Sequence, residues 1–158
     1  MKYVLIIIIF VIAIYIYFLT KIIRYNLKCQ QYLMEIDKNI DKIYAKLHSF
    51  IELSIEKKFV KKLSTYFDAK ISTINQKNQF LDSLFKDIND ALSSKELDIT
   101  NFEVSNLNNE LSNIHDSINN QIDQYNYYAE KYNKIINFKF IVIFTRLFGC
   151  KKKTLFKK

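Results

Sequence analysis

YVLIIIIFVIAIYIYFL, residues Tyr3–Leu19, decides how this chain is read: it is a run of 17 residues without a charge, almost all of them β-branched, aromatic or leucine. As a helix it covers roughly 26 Å, and Ile22 and Ile23 extend it by a turn while Lys21 snorkels. In water such a run suits a buried strand equally well, but at this length lipid is the better partner. Residues 1–23 are therefore expected to form a transmembrane anchor, with Tyr3, Val4, Leu5, Ile6, Phe10, Ile16 and Leu19 against acyl chains. A cleaved signal peptide is the rival. The run exceeds a typical signal core, and Leu19-Thr20-Lys21 is no small-residue cleavage site. Nor does Asn26-Leu27-Lys28-Cys29 look like a bacterial lipoprotein motif. Lys2 precedes the run, whereas Lys21, Arg24 and Lys28 follow it. The positive-inside rule then predicts a cytoplasmic C-terminal domain.

Beyond the anchor, composition favours long helices. The 158 residues contain no proline, and Gly149 is the only glycine. The two main helix terminators and turn builders are thus nearly absent, which also argues against β-hairpins. An apolar fraction of 49% supplies a core that a disordered chain would lack.

Leu33, Ile36, Ile40, Ile43, Leu47 and Phe50 alternate in steps of three and four, one stripe of a helix that can continue directly out of the anchor. A second series runs Leu63, Phe67, Ile71, Ile74, Leu81, Leu84, Ile88 and Leu92, with a turn expected in the charged stretch Lys57–Lys62. Ser93–Thr100 is the next expected loop, with Thr100 or Asn101 capping a last helix and Glu103 in its first turn. That helix is the most regular: Leu107, Leu111, Ile114, Ile118, Ile122, Tyr125, Ala129, Tyr132, Ile136. The predicted fold is all-α: an anchor over 1–23, an elongated antiparallel bundle of three to four long helices over 24–138, and a basic amphipathic tail over 139–158.

The charge is unevenly distributed. Residues 20–138 hold sixteen basic and sixteen acidic side chains, so most of the net +8 comes from the tail, with seven basic residues and no acidic one. Lys139, Arg146, Lys151, Lys152, Lys153, Lys157 and Lys158 alternate there with Phe140–Phe144, Leu147, Phe148, Leu155 and Phe156. The apolar stretch is too short to span a bilayer, and the composition suits an anionic membrane face. The alternative is apolar packing on the bundle with the lysines solvated; nucleic acid is not expected as a partner.

At the last helix, Tyr125-Asn126 and Tyr132-Asn133 form a YN-x5-YN pair, followed by Phe138, Phe148-Gly149 and Leu155-Phe156. Near the anchor, Tyr25-Asn26-Leu27 precedes Glu35-Ile36-Asp37, Ile40, Lys42, Leu47, Ile51 and Glu52. Together these resemble the LemA family of bacterial membrane proteins, over the anchor, first helix and last helix. Family prolines are replaced by His48 and Lys139, and Ser117 and Ile122 stand where arginines are usual. The resemblance implies a helical bundle behind one inner-membrane anchor and supplies no established biochemical activity. The paired motif reads as packing with a polar seam: Tyr125 and Tyr132 lie two turns apart facing the core, hydroxyls at its rim. Asn126 and Asn133 are expected to bond across to Tyr25 or Asn26; the functional alternative is a seam for a peptide or partner helix.

Candidate chemistry is thin. His48 and His115 lie on different helices outside any metal or protease motif, and Cys29 and Cys150 have no CxxC partner. Both thiols belong near one membrane face, where palmitoylation or a disulfide is open to them. No glycine-rich loop exists to cradle phosphate. No catalytic residue, metal ligand or cofactor is expected. The sequence points to a non-catalytic scaffold whose partners are the bilayer and another protein or further copies of itself. The alternative is a membrane-active protein of lysis or pore-forming type.

Overall fold

A computed structural model describes residues 2–53, 57–67, 71–94, 102–138, 141–147 and 149–157. Every regular element among them is an α-helix: α1 Lys2–Leu53, α2 Lys57–Phe67, α3 Ile74–Ser93, α4 Phe102–Ile136 and α5 Val142–Leu147. With no proline or glycine to interrupt it, α1 runs unbroken from the apolar stretch into the first amphipathic stripe. It is long and apolar enough to cross a membrane, and that apolar stretch is not buried in the protein.

The middle of the chain departs from expectation. Lys57–Lys62 lies inside α2 rather than in a turn, and Leu63, the next residue of that helix, is fully buried. The series from Leu63 to Leu92 is also not one helix. It ends at Phe67 and resumes at Ile74 behind a capping box: Gln76 N–H donates to Thr73 Oγ1 (3.2 Å), and Thr73 N–H donates to Gln76 Oε1 (3.0 Å). At the far end of α3, the Ser94 N–H donates to the Asp90 carbonyl (2.9 Å). The expected caps Thr100 and Asn101 lie outside the described residues.

The chain divides into two compact units, Met1–Leu33 with Asp123–Leu155, and Met34–Ile122 with Phe156–Lys158. The second is a helical bundle. Ile36, Ile40, Ile43, Leu47 and Phe50 of α1 are buried, as are Leu63 of α2, Leu84 and Ile88 of α3, and Leu111 and Ile118 of α4. Each contributes about 1.5–3 kcal/mol by leaving water. Aromatic contacts mark the seams: Tyr44 lies 5.3 Å from Phe80 and 6.0 Å from Phe67, and Phe85 stacks on His115 at 3.9 Å.

Polar groups fix its alignment. Asn39, only 5% exposed, donates through Nδ2 to Ser117 Oγ (3.2 Å) and Gln121 Oε1 (3.0 Å), and accepts at Oδ1 from Lys42 (3.0 Å). Lys46 pairs with Glu110, and the buried Lys77 with Asp37. Asp87 accepts from the Tyr66 hydroxyl (2.7 Å) and pairs with Lys62 (2.7 Å). A buried amide with its bonds satisfied tolerates one register and penalises others, as a lone core asparagine does in coiled coils.

Candidate functional site

The first unit carries the features singled out in the sequence. Its core is Ile22 of α1, Tyr132 and Ile136 of α4, and Ile141, with Phe18, Tyr25, Ile135 and Cys150 packed against them. Phe18 and Phe138 stack with ring centroids 5.6 Å apart. Of the expected lipid-facing residues, Tyr3, Val4, Leu5, Ile6, Phe10 and Ile16 are well exposed, and Leu19 is the least so at 38%. Such a surface is unusual for a helix in water, where contiguous apolar area is hidden.

α4 ends without proline or glycine, so its last carbonyls are satisfied by local bonds. The Asn137 N–H donates to the Asn133 carbonyl (3.2 Å), and the Phe138 N–H to that of Ile135 (3.0 Å). The buried Thr145 hydroxyl, on α5, bonds the Ile136 carbonyl at 3.2 Å. The single glycine closes α5. At φ +65°, Gly149 donates to the Arg146 carbonyl (3.1 Å) and Cys150 to that of Thr145 (2.8 Å), a Schellman arrangement. The chain then leaves without regular secondary structure through Lys151–Leu155, as a strap.

Tyr125, Tyr132 and Asn133 of the paired motif hold that strap. Asn133 donates through Nδ2 to the Lys153 carbonyl (2.9 Å) and accepts at Oδ1 from the Lys153 N–H (2.8 Å). Tyr125, 1% exposed, donates its hydroxyl to the Thr154 carbonyl (2.9 Å). Asn133 thus bonds the C-terminal segment rather than Tyr25 or Asn26, because the strap brings an unpaired peptide group alongside α4. Tyr132 supports the strap through its face, with the Lys153 ammonium 5.2 Å from the ring centroid. Asn126 is half-buried on the same helix, and Asn26 is half-buried on α1.

Tyr25 meets a residue that the sequence reading passed over. Its ring lies 6.0 Å from that of Tyr128, which also stacks on Tyr32 at 5.9 Å. The signal was present: Tyr128 stands three residues beyond Tyr125, so helical spacing puts both on neighbouring positions of one face. Burial shifts the local titrations. The Tyr125 hydroxyl is pushed up to about 12, mainly by loss of solvent. Tyr132 is also raised to about 12, by burial and then by the Cys150 thiol. Cys29 is fully buried and its thiol is raised by desolvation, with Lys153 opposing. Both cysteines are free thiols.

The basic residues are divided among different settings. Arg146 is exposed on α5, Lys151 and Lys152 are exposed in the strap, Lys153 is half-buried against Tyr132, and Lys157 is exposed in the other unit. Lys139 and Lys158 lie outside the described residues. Among the described residues, no group of three or more His, Cys, Asp or Glu side chains is placed to hold a metal ion. No family model matches the chain, and neither a curated protein nor a solved structure matches it.

Proposed function

We propose that this protein is a membrane-tethered, non-catalytic helical scaffold or adaptor, LemA-like in architecture, that binds another protein or further copies of itself. One observation carries the proposal: α1 changes character without a break. Its side chains from Tyr3 to Ile14 are apolar and exposed, and from Ile36 onward it buries a stripe among other helices. A single helix with those two surfaces couples a bilayer to a folded domain. Contacts within the bundle support an antiparallel α1–α4 pair, since Asn39 meets Ser117 and Gln121 while Lys46 meets Glu110. The flanking charges favour a cytoplasmic domain, and the LemA-like pattern favours a bacterial inner membrane. Asn39, Tyr125 and Asn133 each bond to a distant part of the chain, which supports a structural role for these side chains.

Single cysteines at exposed bundle positions such as Lys38 and Lys86, in a Cys29→Ala/Cys150→Ala background, test the topology. They are expected to resist a membrane-impermeant thiol reagent in intact cells and to react after lysis. Labelling in intact cells overturns the cytoplasmic orientation. Induced expression with a membrane-impermeant dye separates the scaffold from a lysis or pore-forming protein. Cells making a scaffold exclude the dye, and prompt dye entry sinks the scaffold reading.

A further inference from the structure

An apolar groove of about 670 Å³ lies in the first unit, walled by Val11, Ile14, Tyr15 and Phe18 of α1 and by Phe138 and Ile141 from beyond α4. Ile141, Tyr15 and Phe18 also border a small neighbouring void with Thr145 and Cys150. Next to those two residues in sequence come Arg146, Lys151 and Lys152, all exposed, in a segment without a carboxylate side chain. We propose that this groove binds one anionic phospholipid, an acyl chain lying along the apolar walls and the phosphate held by Arg146, Lys151 and Lys152.

The inference rests on α1 spanning the bilayer, which fixes the depth of each wall. At about 1.5 Å per residue, Phe18 lies roughly 8 Å and Val11 roughly 18 Å inside the apolar stretch when counted back from Ile23. Those are acyl-chain depths, whereas Arg146 and the lysines follow residues bordering the void around Ile22, at its water end. A peptide in the groove would leave its N–H and C=O groups facing apolar walls, a cost of several kcal/mol per group that an acyl chain avoids. A guanidinium fork with two ammonium groups, in a segment without Asp or Glu, suits a phosphate, and selects a lipid with net negative charge over a zwitterion.

Carbonate extraction of membranes from cells making the full chain comes first. Release into the supernatant overturns the anchor and the site with it; retention establishes the anchor independently. The retained protein, purified in neutral detergent, is then examined by native mass spectrometry with phosphatidylglycerol or phosphatidylcholine of identical acyl chains. One phosphatidylglycerol per protomer is expected, preferred on the order of tenfold over phosphatidylcholine. Arg146→Gln/Lys151→Gln/Lys152→Gln brings the two lipids near parity, whereas Lys38→Gln/Lys61→Gln/Lys86→Gln leaves the preference intact. Ile14→Trp, which fills the groove, lowers retention of both lipids alike, and glycerophosphoglycerol without acyl chains does not compete. Parity in the unaltered protein, an equal effect of the distant lysine set, or displacement of lipid by a second protein copy each overturns the site.

Discussion

At the scale of single residues, Asn133 illustrates how one amide decides what a motif is for. Both of its polar ends are used on the backbone of one residue, the N–H and the C=O of Lys153, so it holds the strap without regard to the Lys153 side chain. Asn133→Ala should cost about 1–3 kcal/mol of local stability, since two bonds go and a half-buried peptide group loses its partner. Because trypsin cuts after Lys151, Lys152 and Lys153, faster cleavage there in the variant checks this directly. Asn133→Asp keeps an acceptor for the Lys153 N–H but sets a carboxylate oxygen against its carbonyl, so it should cleave faster than the parent. An unchanged rate in both variants rules out the clamp. Tyr125→Phe removes the bond to the Thr154 carbonyl, a loss of about 1 kcal/mol. The same logic gives Gly149 its role: at φ +65° an alanine is strained by about 1 kcal/mol, although nothing lies within 4 Å of the added Cβ.

At the scale of elements, what can be read from sequence follows from how many residues vote for a feature. The apolar run and α4 each rest on long, repeated patterns: α4 spans Phe102–Ile136, near its expected extent, whereas the run is helical as expected but continues within a single helix, Lys2–Leu53. The joint between α2 and α3 rests on Thr73 and Gln76 alone. Its capping box is legible as Thr-x-x-Gln, but it sits inside a stripe from Leu63 to Leu92 whose spacing tolerates either one helix or two. Thr73→Ala should lower the thermal midpoint of the helical signal in detergent, at a cost of about 1 kcal/mol. Thr73→Asn, another good cap, should recover most of it. The strap was beyond sequence reasoning for a different reason. Its bonds join Lys153 and Thr154 to residues twenty and twenty-nine positions earlier, and no periodicity encodes a pairing between a helix side chain and the backbone of an irregular segment. Asn39 is intermediate: a polar residue beside the first stripe is visible, but its partners Ser117 and Gln121 become apparent only once α1 and α4 meet.

At the scale of the whole molecule, the buried titratable groups define a pH window for stability. His115 stacks on Phe85, and desolvation lowers its pKa although Asp116 and Asp82 act in the opposite sense. Below about pH 6.5 the unfolded chain therefore binds a proton that the folded one resists, and stability falls with acidity. On the alkaline side the sign reverses. Cys29, Tyr125, Tyr132 and Tyr66 all have raised pKa values, so their contribution is complete below their unfolded values and is lost as pH climbs toward the folded ones. Loss should begin near pH 9 with Cys29, steepen above about 10 as unfolded tyrosines ionise, and continue to about 12. Thermal unfolding followed by circular dichroism in detergent should thus give a plateau between about pH 6.5 and 9 with a falling limb on each side. His115→Gln should flatten only the acid limb, because it removes a histidine of the bundle while leaving the tyrosines in place. Cys29→Ala/Tyr132→Phe should make only the alkaline limb shallower, with Tyr125 and Tyr66 still contributing, even though the cavity and lost contacts lower the plateau itself. The position of each limb, not the height of the plateau, is the measured quantity, so a variant that destabilises the protein uniformly cannot imitate the effect. Limbs that stay unmoved in both variants would show that these buried groups do not set the window.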